Sequence, residues 1–224
     1  MNAVGVDGAP NGWAAVIYKE GSMRVRRVAR LADIFEHSPY PDIVALDVPI
    51  GLLDAYDIGG RECDRKARRD LQKRRSSVFV PPVRACLNAE TYEEAKALSR
   101  ASSRHNRALP RQTWEIIRKI KEADELLQMN PQLRPIVREV HPEVCFLQLV
   151  GHPMKFAKRK PAGRAERRNA LARVFDVDAI LSEGQREKLP VEDVLDALVS
   201  FWSAIRLATG KGRSLAADEK TIWV

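Results

Sequence analysis

The chain has 224 residues, 45% of them apolar and 30% charged, which is the composition of an ordinary globular protein and excludes disordered, collagen-like and disulfide-stapled chains. Lysine and arginine number 38 against 30 acidic residues, a net charge of +8 that favours anionic partners such as nucleic acid, nucleotides or anionic surfaces. Cys63, Cys86 and Cys145 lie far apart and form no C-x-x-C pair, so they suggest neither a zinc site nor a disulfide framework and fit a reducing, cytoplasmic setting.

In chain order, the first thirty residues predict three short strands, Ala3 to Val6, Trp13 to Tyr18 and Met23 to Val28. The turn clusters Gly8-Ala9-Pro10-Asn11-Gly12 and Glu20-Gly21 separate them and predict a meander. A fourth strand, Ile43-Val44-Ala45-Leu46, is continuously apolar, as a strand buried on both faces must be, and it ends in the charged Asp47. From Gly59 to about Asn130 the chain turns charged, Ala-rich and helical, with a capping box at Thr91-Tyr92-Glu93-Glu94 and a long helix opened by Pro110 and running through Leu127. A fifth strand is expected over Arg134 to Val140, followed by helices at about Glu143 to Leu149, Gly163 to Phe175 and Val191 to Thr209. Asp7 breaks the apolar start that a signal peptide would need, and Asp196 and Arg206 break the longest apolar helix, so no membrane association is expected. The order describes an α/β layered domain over residues 1–224, a mixed five-stranded sheet flanked by helices, with a helical insert at about 59–130 between the fourth and fifth strands.

The positive charge is concentrated. Arg61 to Arg75 holds eight basic and three acidic residues, and Lys155 to Arg168 holds seven basic and one acidic. Arg61, Arg65, Arg68, Arg69, Lys160, Arg164 and Arg168 in these segments, with Lys119 in the insert, are candidate phosphate ligands, because neutralising a polyanion releases counterions. A solvated helix face accounts for the same charge runs.

Three carboxylate positions end elements where side chains can converge: Asp7 after the first strand, Asp47 after the fourth, and the pair Asp193 and Asp196 on the last long helix. Adjacent parallel first and fourth strands would bring Asp7 and Asp47 to one carboxyl edge, where open α/β sheets build their sites. Asp193 and Asp196 are three apart and share a helical face. Such crowding of like charge is unfavourable without a cation, and hard divalent ions take carboxylate oxygens readily. Glu139, in Glu139-Val140-His141-Pro142-Glu143, is a further candidate ligand or base after the fifth strand, or a structural carboxylate.

Val4-Gly5-Val6-Asp7-Gly8-Ala9 with Gly12-Trp13, then Leu46-Asp47-Val48-Pro49-Ile50-Gly51, Arg138-Glu139-Val140-His141-Pro142-Glu143 and Asp193-Val194-Leu195-Asp196-Ala197 together resemble the predicted RNase H-like nuclease family catalogued as domain of unknown function 429. The resemblance implies an RNase H-like core whose first strand, fourth strand and closing helix carry metal-binding acids, at the positions of Asp7, Asp47 and Asp193 or Asp196. The leading expectation is therefore a Mg2+- or Mn2+-dependent nuclease cleaving DNA or RNA, with Asp7, Asp47 and Asp196 as metal ligands and Asp193 and Glu139 in support. An actin-like phosphotransferase or ATPase, and a non-catalytic nucleic-acid- or protein-binding module, remain open beside it.

Overall fold

Alternating side chains along the start of the chain build a meander of β1 (Ala3–Ala9), β2 (Gly12–Lys19) and β3 (Ser22–Val28). The computed structural model describes residues 1–36, 40–217 and 220–224. Among the described residues the sheet has five strands in the order β3-β2-β1-β4-β5, with β4 at Ile43–Leu46 and β5 at Val137–Glu139. β1 pairs antiparallel with β2 and parallel with β4, in the register Ala3↔Ile43 to Val6↔Leu46. The expected mixed α/β sheet is therefore present, and its central strand is the one that carries Asp7.

Period-two alternation divides the core into two layers. Ala3, Ala9, Ile43 and Ala45 face α8 (Val191–Ala208), supported by α5 (Pro142–Val150), α6 (Pro161–Leu171) and α7 (Val177–Arg186). Val4, Val6, Val44 and Leu46 face the opposite layer, where Ile120, Ala123 and Leu127 of α4 (Ile117–Met129) pack with Trp13. A third cluster joins Cys63, Ala67 and Leu71 of α1 (Glu62–Leu71) to Val144 of α5 and Ile222. Among the described residues no helix is long and apolar enough to cross a membrane.

β1 and α8 meet backbone to backbone at Gly5. A Cβ added at Gly5 would fall well inside contact distance of the Phe201 amide nitrogen and the Ala197 carbonyl oxygen, so only glycine lets the helix lie on the strand. Gly5 and Asp7 share a strand face, and this contact sets the first turns of α8 beside the end of β1.

Several boundaries differ from the sequence reading, each for a local reason. The fifth strand is shorter than Arg134 to Val140, because the 3-10 turn at Pro131–Leu133 runs on into a further turn in which Ile136 N donates to Leu133 O at 2.9 Å. The helix expected from Pro110 to Leu127 is two, α3 (Arg111–Glu115) and α4, separated at Ile116, whose φ of −105° and ψ of 5° leave helical geometry. Between them and α1 lies α2 (Tyr92–Ala101), capped as expected by Thr91 Oγ1, which accepts from Glu94 N at 3.2 Å. The helix expected to reach Phe175 stops at Leu171, and Asp176 then caps the unforeseen α7 by accepting from Ala179 N at 3.1 Å.

Gly5→Ala places a methyl group against backbone that cannot rotate away, and the usual overpacking cost of about 1–3 kcal/mol is its lower bound. Urea denaturation should show the variant more than about 1 kcal/mol less stable than wild type, and a smaller loss contradicts this packing.

Candidate active site

The site begins where β1 and β4 end. The ladder continues one bond beyond the paired strands, Asp47 N donating to Val6 O at 2.9 Å, so Asp7 and Asp47 stand side by side at the carboxyl edge. Alternation turns both toward the α8 layer, since Gly5 and Ala45 two residues earlier lie on that side. Asp193 and Asp196 lie one turn apart in the first half of α8. All four aspartates line one pocket of about 860 Å3, large enough for a nucleotide-sized group.

Asp7 is 6% exposed and Asp196 2%. Burial, followed by the neighbouring Asp47 and Asp196 charges, pushes the Asp7 carboxyl well above the ordinary carboxylate range. Burial also raises Asp47, although His141 and Lys158 oppose the rise. Asp193 is pushed up to about 6 by burial, with Asp196 and Glu192 adding to the shift and Lys158 reducing it. One cation meets this crowding directly: Lys158, in the turn between α5 and α6, donates from Nζ to Asp196 Oδ2. Partial burial opposes its charge, yet Asp196 and then Asp7 hold the ammonium well above its usual range.

His141 is also built into the wall. Its Nε2 lies 3.2 Å from the Ser77 carbonyl, which can only accept, so that nitrogen carries the proton. Its Nδ1 is buried with no hydrogen-bond partner among the described residues. Lys119 reaches the pocket from α4, its Nζ 4.2 Å from the centre of the Trp13 ring and bonded to the Gly12 carbonyl.

A separate buried network holds the insert to the sheet. Arg61 is 3% exposed, and it donates to Glu139 Oε1 at 2.5 Å, Glu139 Oε2 at 2.7 Å, Asp64 Oδ1 at 2.8 Å and the Ile50 carbonyl at 2.5 Å. Ile50 N donates to Glu139 Oε2 at 2.5 Å, so both Glu139 oxygens are engaged away from the aspartates. The sequence reading of Arg61 as a phosphate ligand therefore gives way to a structural role: its guanidinium is already enclosed by two carboxylates. Glu139 likewise is placed as a structural carboxylate, although it borders the pocket.

The other expected basic ligands divide the same way. Arg65 holds Asp57 at 2.8 Å and the Gly60 carbonyl at 2.5 Å, and Arg68 holds the Val78 and Gly59 carbonyls at 3.0 and 2.6 Å. Arg164 pairs with Glu192 at 2.8 Å, Arg168 pairs with Asp178 at 2.6 Å, and Arg69 and Lys160 are exposed and outside the pocket lining. The two basic segments reach the pocket through the enclosed Arg61 and through Arg74, Lys158 and Arg159, the last three of which sequence reasoning passed over because charge runs alone do not say which side chain turns inward.

Comparison with known proteins bears on the whole arrangement. A model of the family described as "Protein of unknown function (DUF429)" matches residues 5–221. The chain belongs to the DUF429 family. No curated protein and no solved structure matches it. The matched span of this DUF429 member includes all four aspartates, Lys158 and His141.

The donor set suits a hard divalent cation, being carboxylate oxygens in excess over the one ammonium paired with them. Among the described residues, however, no three His, Cys, Asp or Glu side chains are arranged to hold a metal ion as they stand. Lys158 occupies Asp196 instead.

The crowding has a pH signature. Asp7 and Asp193 bind protons more tightly in the folded chain than at their ordinary value of 3.8, so their combined contribution to stability falls as pH rises from about 4 through the folded value, about 6 for Asp193. Asp7→Asn removes the most crowded charge. The stability difference, variant minus wild type, should therefore increase between about pH 4 and about pH 7 in urea titrations at each pH, and a difference that shrinks over that window contradicts the crowding.

Proposed function

We propose that the DUF429 chain is a divalent-metal-dependent phosphodiester hydrolase acting on DNA or RNA, built on an RNase H-like core. The observation that carries the reading is the convergence of Asp7 and Asp47, from adjacent parallel strands, on Asp193 and Asp196 of the helix that crosses β1. A meander followed by parallel β4 and β5, with acids ending β1 and β4, agrees with that core.

The Asp47 and Asp196 charges both act on Asp7, which suits it to share a cation with either neighbour. Mg2+ or Mn2+ bound by Asp7, Asp47 and Asp196 would activate a water and stabilise the leaving oxygen. Arg159 at the pocket is the candidate holder of phosphate oxygens, with Lys119, over Trp13, beside the same space; Arg74 also lines the pocket but is paired with Glu143. Asp193, less buried than Asp196, stands at the pocket wall as a supporting acid.

The Lys158–Asp196 pair favours one other reading, a nucleic-acid-binding module in which the ammonium permanently replaces a metal. Activity separates the two. With Mg2+ or Mn2+, the purified chain should cleave at least one of single-stranded or double-stranded DNA or RNA, and Asp7→Asn should reduce the rate more than about 100-fold, beyond the loss caused by removing an outer-shell partner of a metal ligand. Absence of cleavage from every substrate with both metals contradicts the catalytic reading.

The charge reading has its own test. Arg159→Glu should weaken binding to a DNA or RNA strand and lower the log–log salt slope by about 0.7–0.9. Arg168→Glu, which alters a residue paired to Asp178 outside the pocket lining, should leave both unchanged. Equal effects from the two variants would remove the pocket from the binding surface.

A further inference from the structure

Lys158 belongs to no regular element, yet its backbone is held on both sides. Lys155 N donates to Glu166 Oε1 at 2.9 Å and Phe156 N to Glu166 Oε2 at 3.0 Å, while Arg167 donates to the Phe156 carbonyl at 3.1 Å. After it, Lys160 N donates to Ala157 O at 2.9 Å, and Gly163 lies so close to the Ala157 carbonyl that a Cβ there would collide with it. The turn is thus fastened to α6, and from it the lysine side chain reaches Asp196 directly, with Arg159 beside it at the pocket. A surface lysine that met a carboxylate by chance would need no such fastening.

The side chain is 38% exposed along its length, but its ammonium rests on Asp196, whose side chain is 2% exposed. Its charge couples with Asp196, Asp7 and Asp47 together. Of the acids, Asp196 is the one gripped directly.

We infer that Lys158 is an internal counter-ion of the aspartate pocket, holding the acids together in the metal-free chain and competing with a divalent cation for Asp196, so that metal binding requires the ammonium to swing out. The inference rests on the proposed metal site and adds its regulation: Lys158 sets the metal concentration at which the pocket fills. The exposed stem and the open side of the pocket give the ammonium somewhere to go, whereas the anchored backbone brings it back when the metal leaves. Charge makes the exchange unequal, because a divalent ion offsets more of the carboxylate repulsion than one ammonium does.

The test is Mn2+ titration of the full chain by calorimetry, with wild type beside Lys158→Met and Lys158→Gln. The Gln variant keeps an N–H donor for Asp196 while removing the charge, and guards against a Met variant that folds poorly. Removing an ammonium from contact with a buried carboxylate should tighten Mn2+ binding by at least about tenfold in either variant. In EDTA both variants should melt at a lower temperature than wild type, and saturating Mn2+ should close that gap. Equal Mn2+ affinity in wild type and variants overturns the role of Lys158 and leaves the metal site standing. No Mn2+ binding by wild type or by either variant overturns both, and lower affinity in the variants shows Lys158 assisting the metal and overturns the competition.

Discussion

The contact between β1 and α8 at Gly5 sets the geometry on which the site depends. Backbone meets backbone there, with no side chain between strand and helix, so the position of α8 along and above the strand is fixed within the tolerance of close-packed atoms. Asp7 lies two residues beyond Gly5 on the same strand face, and Asp196 lies one residue before Ala197, whose carbonyl touches Gly5. Bringing those two carboxylates together is therefore a by-product of this backbone-to-backbone packing. The parallel register of β1 with β4 adds Asp47 by the same kind of constraint.

Around this centre the molecule separates two uses of charge. Arg61, Asp64 and Glu139 are enclosed, mutually bonded and joined to the Ile50 backbone, which fixes the start of the insert against the end of β5. Such a buried network is costly to break, because removing one partner strands the others without water. Glu143 forms a similar bridge, accepting from Arg167 and, at 3.2 Å, from Arg74. The aspartates differ in kind: carboxylates outnumber the cations that touch them, and the excess is what makes the pocket receptive to positive charge.

Much of this was legible in the sequence, for reasons visible in particular residues. The apolar run Ile43 to Leu46 ending in Asp47 declared a buried strand with a charge at its end, and the Asp193 and Asp196 spacing put both on one helix face. Gly5 sits in the Val4-Gly5-Val6-Asp7 run, but the need for glycine there appears only when α8 lies on it. Arg61 and Glu139 were read as site residues because enclosure of two charges by each other leaves no mark in a linear pattern. Lys158 was one basic residue among seven in its segment, and what distinguishes it, an anchored turn beside Asp196, is a tertiary fact. The break at Ile116 and the extra α7 escaped as well: Ile116 leaves helical geometry with no Gly or Pro to mark it, and α7 begins at the Asp176 cap amid the weak helix formers Val174, Phe175 and Val177.

The most direct measurement is a crystal structure of the chain grown with Mn2+ and recorded at a wavelength that reveals its anomalous scattering. The account predicts a peak coordinated by Asp7 and by Asp47 or Asp196, at metal–oxygen distances of about 2.0–2.3 Å, with the Lys158 ammonium displaced from Asp196. Saturating Mn2+ with no peak between these aspartates, and Lys158 still seated on Asp196, would contradict it.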